Sequence, residues 1–285
     1  MTPLTHRTAF SRFALHALLL CALQGYMQTA QAQVLPLDRD TVKAIFASSP
    51  AFTIYKNNYF ITGVPLDKPV SAENSDAKFQ VSFKQRLFNK PILGSYIHLV
   101  YTQKSFWDIY KSSSPFRETN YNPGLMVVRP LYKNNRLKGA MAFSFEHESN
   151  GRDSIYSRSW NYLAFAYSKV VSERLICGLK VWLPFINPTE GNPDLIDYIG
   201  YGEAELHWTI KKKLLFLDFV GRKGAANDLR GNMQVDISYK AWKAGNQYLM
   251  LQWFYGNSES LVNYAEKQNM LRIGIMFKPQ YYRFY

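Results

Sequence analysis

His147, Ser149 and Asn161 fall within the stretch FSFEHESNGRDSIYSRSWNYL, residues 143 to 163, at spacings that suit acyl-transfer chemistry. A serine hydroxyl is a poor nucleophile until a neighbouring base takes its proton. An imidazole acts as that base when a third group fixes its tautomer and orientation. On a β-strand, residues two apart share a face, so His147 and Ser149 are brought side by side. A hairpin would return Asn161 to the same place as the orienting amide. The set is then a triad of the Ser-His-Asn form.

The elements that must position these residues are two strands. Over Leu137–Ser149 one face carries Met141, Phe143 and Phe145, and the other carries Lys138, Ser144, Glu146 and Glu148. His147 and Ser149 are in step with the phenylalanines. After the polar turn 150–158 the alternation resumes, with Asn161, Leu163, Phe165 and Tyr167 on one face. The three residues thus lie on an apolar surface, which makes sense if the substrate is itself apolar. The plainer alternative is that they mark where the strands leave a membrane. A polar side chain on a lipid face costs roughly 1–3 kcal/mol near the midplane. Mutual hydrogen bonding offsets that cost.

The rest of the chain repeats the same hairpin rhythm. About twelve strand-like runs are expected near 53–63, 78–88, 93–109, 121–131, 137–149, 159–171, 173–183, 199–210, 213–222, 231–243, 246–256 and 269–278. Many alternate cleanly, as in Met233, Val235, Ile237 and Tyr239 against Gln234, Asp236, Ser238 and Lys240. The connectors alternate too. Residues 64–77, 110–120, 150–158, 184–198, 223–230 and 257–268 are long and polar, while Asn89-Lys90-Pro91, Tyr132–Arg136, Val171-Ser172, Ile210–Lys212 and Ala244-Gly245 are tight links. Short turns at one end and longer loops at the other are the pattern of an all-β, transmembrane, antiparallel up-and-down β-barrel. Beyond Ala51 no helix-period segment of useful length is expected. Before it, Asp40-Thr41 is placed to cap a short helix running through Phe46.

Composition agrees with a membrane barrel. Aromatic residues make up 16% of the chain, yet mean hydropathy is only −0.25, because lipid-facing and lumen-facing positions cancel. The formal net charge of +13 raises nucleic-acid binding, but the lysines sit on alternate strand positions and in turns instead of forming one run. No nucleic-acid partner is expected. Arg7 and Arg12 precede the apolar run Phe13–Leu23, and Ala30-Gln31-Ala32 offers a small-x-small cleavage site. Residues 1–32 are therefore expected to be a signal peptide, with residues 33–285 forming one barrel domain. Its removal would leave Cys177 as the single cysteine, which excludes an intrachain disulfide.

Three motifs carry a family resemblance: HES-NG-x5-SRSWN, Tyr96–Trp107 (YIHLVYTQKSFW) and SSPFRETNY at 113–121. Together they resemble outer-membrane phospholipase A, a calcium-dependent enzyme of the Gram-negative outer membrane. Beyond residue 171 the match is in layout more than in motif. The resemblance implies a twelve-stranded barrel that hydrolyses phospholipid acyl esters as phospholipase A1/A2 and as lysophospholipase. It implies a homodimer when active and a monomer when inactive. By matching position, Ser149 is the nucleophile, His147 the base and Asn161 its orienting residue. Gly151 matches the backbone N–H donor of the oxyanion hole. The implied Ca2+ ligands are Arg152, through its carbonyl, and Ser157 of one chain, with Ser113 of the other. Gln103 matches a polar residue of the dimer interface. One departure lies inside the motif: Glu148 stands where the shorter Asp is expected, and alternation points it into the barrel.

Other classes remain open on the residues alone. A porin or an adhesin would share the barrel without the enzyme, and many inward large and charged side chains argue for a filled interior over a wide channel. A soluble β-sandwich hydrolase would have to bury Met141–Ser149 with the nucleophile inside, leaving substrate no route.

Overall fold

The computed structural model describes residues 37–185, 191–242 and 245–279. The proposed signal peptide at 1–32 lies outside the described residues, as does Ala244 of one expected turn. Thirteen strands form among the described residues: β1 Phe52–Ile54, β2 Asn58–Pro65, β3 Asp76–Arg86, β4 Tyr96–Trp107, β5 Phe116–Lys133, β6 Arg136–Ser149, β7 Ser159–Ser172, β8 Leu175–Phe185, β9 Gly202–Lys211, β10 Leu215–Lys223, β11 Gly231–Tyr239, β12 Gln247–Gly256 and β13 Gln268–Phe277. Each of β2 to β13 pairs antiparallel with its neighbours in sequence, and β13 pairs with β2, Met270 opposite Pro65 through Phe277 opposite Asn58. That last ladder closes a twelve-stranded barrel. β1 continues the line of β2 along β3, with Tyr55-Lys56-Asn57 interrupting what the sequence reads as one strand.

The barrel is apolar outside and polar inside. Phe143 and Phe145 are 59% and 50% exposed and Leu163 is 48% exposed, whereas Glu146, the next residue of β6, is 1% exposed. The same inversion runs through β12 and β13, where Leu249, Ile273 and Ile275 face outward and Gln252 and Arg272 are buried. In water so much exposed apolar surface would be strongly unfavourable at about 25 cal/mol per Å2. Against lipid it has no such cost, and closure removes the unpaired strand edges. The interior is filled by charge pairs: Lys180 to Glu146 at 2.8 Å, Arg222 to Glu203 at 2.7 Å and Lys78 to Glu259 at 2.9 Å. A cavity of about 210 Å3 remains among them, too small and too interrupted by side chains for a wide channel.

The long-loop end is closed by chain. A one-turn helix, α2, at Leu195–Ile199 brings Leu195 and Ile199 into a buried cluster with Trp160, Tyr162, Trp182, Leu261 and Tyr264. The sequence reads this segment as loop, because five residues carry too little periodicity to register as a helix. The helix stops at Gly200, whose φ of 66° leaves its missing Cβ facing the Lys223 carbonyl, where any side chain would collide.

Two other boundaries differ from expectation. The first helix, α1, spans Arg39–Ser48 and is capped by Asp38, which accepts from Thr41 N at 2.7 Å, so the cap falls two residues before the expected Asp40. β5 begins at Phe116 and not near 121. The polar run Arg117–Asn120 reads as loop but belongs to a strand at the barrel mouth. Its inward Glu118 and Asn120 accept from Val262 N and Leu261 N, at 2.8 and 3.3 Å, of the loop that folds into the mouth.

Candidate active site

β6 and β7 are joined by residues 150–158 and pair with His147 opposite Asn161 and Ser149 opposite Ser159. His147 Nδ1 lies 2.9 Å from Asn161 Oδ1. An amide oxygen there accepts the Nδ1–H of a neutral imidazole, which leaves Nε2 bare as a proton acceptor. Ser149 is the last residue of β6, on the same outward face, and all three side chains are half-buried beside Phe145 and Leu163. No hydrogen bond joins His147 to Ser149 among the described residues. Such bonds are often long in a resting enzyme and tighten with substrate. Glu148 points inward, as its place in the alternation requires, and accepts from Trp160 Nε1 at 3.0 Å.

The loop after Ser149 is held by a residue that spacing alone does not single out. Asn150 is buried. Its Nδ2 donates to the Tyr156 carbonyl at 2.8 Å, and its Oδ1 accepts from Arg152 N at 3.3 Å and Arg158 N at 3.0 Å. Gly151 follows with φ of 64°, and a Cβ there would sit 2.8 Å from Cε2 of Tyr121. Among the described residues no acceptor takes the Gly151 N–H. From the other side, Asn192 makes a two-point contact with the Ser159 backbone: Nδ2 to the carbonyl at 3.0 Å and Oδ1 from N–H at 3.2 Å. The loop is therefore set at both of its ends by asparagine side chains, which mimic backbone pairing.

A further support lies under the histidine. The register that sets Tyr121 opposite Ser149 and Gly124 opposite Glu146 places Pro123 opposite His147. Proline has no N–H to give to the ladder. Asn122, on the lumen face, supplies the missing donor: its Nδ2 reaches the His147 carbonyl at 2.9 Å and the Tyr162 hydroxyl at 3.2 Å. Tyr162 in turn donates to Glu146 at 2.8 Å, and Lys180 pairs with the same carboxylate. A proline inside a strand flags a missing ladder donor, but the sequence does not show which side chain replaces it.

The remaining candidates divide by loop. Arg152 and Ser157 belong to the loop 150–158, where Ser157 ends a 3-10 turn at Ser154–Tyr156 and Arg152 sends its guanidinium to the Arg117 carbonyl. Among the described residues the Ser157 hydroxyl and the Arg152 carbonyl take no hydrogen bond. Ser113 is exposed on the separate loop 108–115 between β4 and β5, at the same end of the barrel. Gln103 faces outward on β4, in the row Gln103, Tyr121, Ser149 and Ser159 across four strands. Its amide accepts from the Tyr101 hydroxyl at 3.0 Å and donates to Ser105 at 3.3 Å, both on its own strand.

The comparisons with known proteins bear on the family and the fold. A family model described as phospholipase A1 matches residues 43–277. The phospholipase A1 of Salmonella typhimurium is 33% identical over 218 residues, which cover 72% of this chain and 71% of that protein. A relative from Neisseria meningitidis serogroup B is 29% identical over 215 residues, and the match spans 55% of its length. Among solved structures, outer membrane phospholipase A from Escherichia coli superposes with a TM-score of 0.71 at 28% identity, covering 81% of this chain and 100% of its own. The Salmonella typhi outer membrane phospholipase, solved as a dimer with bound calcium, gives 0.72 at 29% identity, covering 84% and 98%. The chain belongs to the phospholipase A1 family, and it is a phospholipase of the outer membrane.

Proposed function

We propose that this chain cleaves phospholipid acyl esters with Ser149 as nucleophile, His147 as general base and Asn161 as the group that holds the imidazole. The observation that carries this reading is the 2.9 Å contact between His147 Nδ1 and Asn161 Oδ1 on the apolar outer face. A lipid lying along β6 and β7 brings its ester to the rim where Ser149 ends the strand. The Ser149 hydroxyl adds to the carbonyl carbon while its proton passes to His147 Nε2. The negative oxygen then meets the Gly151 N–H, which its loop leaves without a competing acceptor. His147 returns the proton to the leaving lysolipid oxygen. A water activated in the same way releases the fatty acid from the acyl-enzyme.

Calcium fits the oxygens available. The Arg152 carbonyl and the Ser157 hydroxyl are neutral hard donors on one loop, and Ser113 of the partner subunit would complete the set. A site without carboxylates suits Ca2+ held with several waters at modest affinity. When bound, the ion would supply positive charge near the developing oxyanion. Because the donors come from two chains, calcium binding and dimerisation must strengthen each other by the same factor. In this reading the monomer is silent and the dimer active, with Gln103 at the interface. The deciding experiment is turnover of a phospholipid by the detergent-purified protein, with calcium or with chelator, beside Ser149→Ala. Loss of activity in the variant and in chelator supports the reading. Activity in Ser149→Ala rejects the triad, and activity in chelator rejects the calcium dependence.

A further inference from the structure

The two ends of the barrel differ in charge. At the long-loop end acids and bases come as neighbours: Asp67 with Lys68, Arg152 with Asp153, and Glu266 with Lys267. Arg230 there bridges Asp228 at 2.8 Å and Asp197 at 3.7 Å. At the short-turn end the balance fails. The turns β3–β4, β5–β6, β7–β8 and β9–β10 carry exposed Lys90, Arg136, Arg174 and the run Lys211–Lys213. Among the described residues, the acids of this end outside the lumen are Asp38, Asp40 and Glu173; Glu173 adjoins Arg174 and Asp38 faces Arg136 across a backbone bridge, so Lys90 and the run Lys211–Lys213 are the bases with no neighbouring acid. Asp38 is occupied as the cap of α1, and Asp40 pairs with Lys43 at 3.5 Å.

A second observation fixes what this collar faces. Trp208 on β9 and Tyr239 on β11 point outward, each 46% exposed, just on the membrane side of Lys211 and Lys240. Tryptophan and tyrosine collect at the level of lipid headgroups, where an apolar ring meets a wet polar edge. Lys211 lies three strand residues beyond Trp208, about 10 Å and less where the strand is tilted, and Lys240 directly follows Tyr239, so these lysines lie from the aromatic level out to the depth of the headgroup phosphates. The bases also recur around the circumference, on four separate turns. A folded partner would gather them to one side, whereas an annulus of lipid meets all of them.

We propose that the short-turn collar binds anionic phospholipid headgroups in the leaflet around that end of the barrel. The surface is separate from the acyl-ester site, which sits at the opposite rim. Cationic residues near an anionic leaflet attract it additively and over no more than a Debye length. The collar would therefore enrich anionic lipid around the barrel and fix its depth, and salt would weaken both effects.

The test uses the purified barrel in mild detergent, supplied with equal amounts of dialkyl-ether phosphatidylglycerol and phosphatidylcholine. Neither lipid has an acyl ester, so retention is read independently of turnover. Native mass spectrometry counts the lipids retained. The protein is expected to keep phosphatidylglycerol several-fold over phosphatidylcholine at low salt and to lose that preference in about 0.5 M salt. The combined Lys211→Gln, Lys212→Gln and Lys213→Gln variant should lose part of the preference. Adding Arg136→Gln and Arg174→Gln should remove most of it. All of these residues are exposed, and the folded state of each variant is checked by circular dichroism. Should a variant unfold, the salt series on the unaltered protein still decides. Equal retention of the two lipids by the unaltered protein would overturn the proposal, as would full preference in the folded variants. Capture of an acidic polypeptide such as polyglutamate without phosphatidylglycerol preference would also overturn it.

Discussion

Asn122 donates to the carbonyl of His147 from inside the barrel at 2.9 Å, at the one ladder position where Pro123 cannot. Leaving a buried carbonyl unpaired costs about 1–3 kcal/mol, and here the backbone that would relax carries the base. Asn122→Leu is therefore expected to lower kcat roughly tenfold while KM for a short-chain lipid moves little, because Asn122 faces the lumen and touches no substrate. Asn122→Gln, which keeps a donor, should recover part of the loss. Steady-state kinetics on folded protein decides, and an unchanged kcat in Asn122→Leu would remove the residue from the argument.

Graded losses are expected across the triad. Ser149→Ala should abolish hydrolysis with the barrel still folded, and His147→Ala should be nearly as severe, since an unassisted hydroxyl is a poor nucleophile at neutral pH. Asn161→Ala should be milder, because the amide orients a neutral ring without supplying charge. If Asn161→Ala proved the worst of the three, the assigned roles would be wrong.

Gly151 offers an independent check on the oxyanion donor. Its φ of 64° costs a residue with a Cβ about 1–2 kcal/mol, and that Cβ would also press on Tyr121 at 2.8 Å. Gly151→Ala should fold, since the loop is solvent-exposed, yet lose kcat by tenfold or more as its N–H is displaced. Wild-type turnover in this variant would place the oxyanion elsewhere.

Much of this site was legible because its residues obey a period of two. His147, Ser149 and Asn161 share a face for the same reason that Phe143 and Leu163 do, and the register His147 to Asn161 follows from the loop between them. What alternation cannot report is side-chain reach across strands. Asn150, Asn192 and Asn122 act through hydrogen bonds to backbone atoms of other segments, and a lone asparagine in a loop or strand carries no periodic signal. The late placing of β5 has the same origin. Glu118 and Asn120 look like loop residues because their partners are loop amides 141 and more positions away.

Calcium and association should respond together. Ser157→Ala and Ser113→Ala are expected to shift the calcium dependence of turnover upward with the triad intact, since each removes one neutral oxygen from a weak site. Gln103→Ala should weaken dimers without changing the metal site. Its amide bonds to Tyr101 and Ser105 on its own strand, so loss of dimers in a variant whose barrel stays folded is the result that marks contact with a second barrel. Sedimentation in detergent with calcium or chelator, run beside the activity assay, separates the cases. A fully active monomer would end the dimer mechanism even with the triad correct.

The long-loop mouth is predicted to fail in acid. Burial alone would raise the Glu259 carboxyl, but Arg272 and Lys78 beside it hold its pKa down to about 2. Arg272 reaches Glu259 at 2.6 Å and Asp76 at 2.7 Å, and Lys78 reaches Glu259 at 2.9 Å. A group whose folded pKa is depressed stabilises fully above its unfolded value, near 4.3, and that stabilisation is lost as pH falls toward the folded value. The apparent melting temperature in detergent should therefore be flat from pH 7 to about 5 and fall below about 4. Glu259→Gln leaves two buried cations short of a counter-charge, a loss of about 3–5 kcal/mol or roughly 10 °C at pH 7. Its melting temperature should also lose the part of the acid dependence that Glu259 supplies. Coincident melting of the two proteins at pH 7 would show that Asp76 alone neutralises the mouth and that Glu259 contributes nothing to holding it closed.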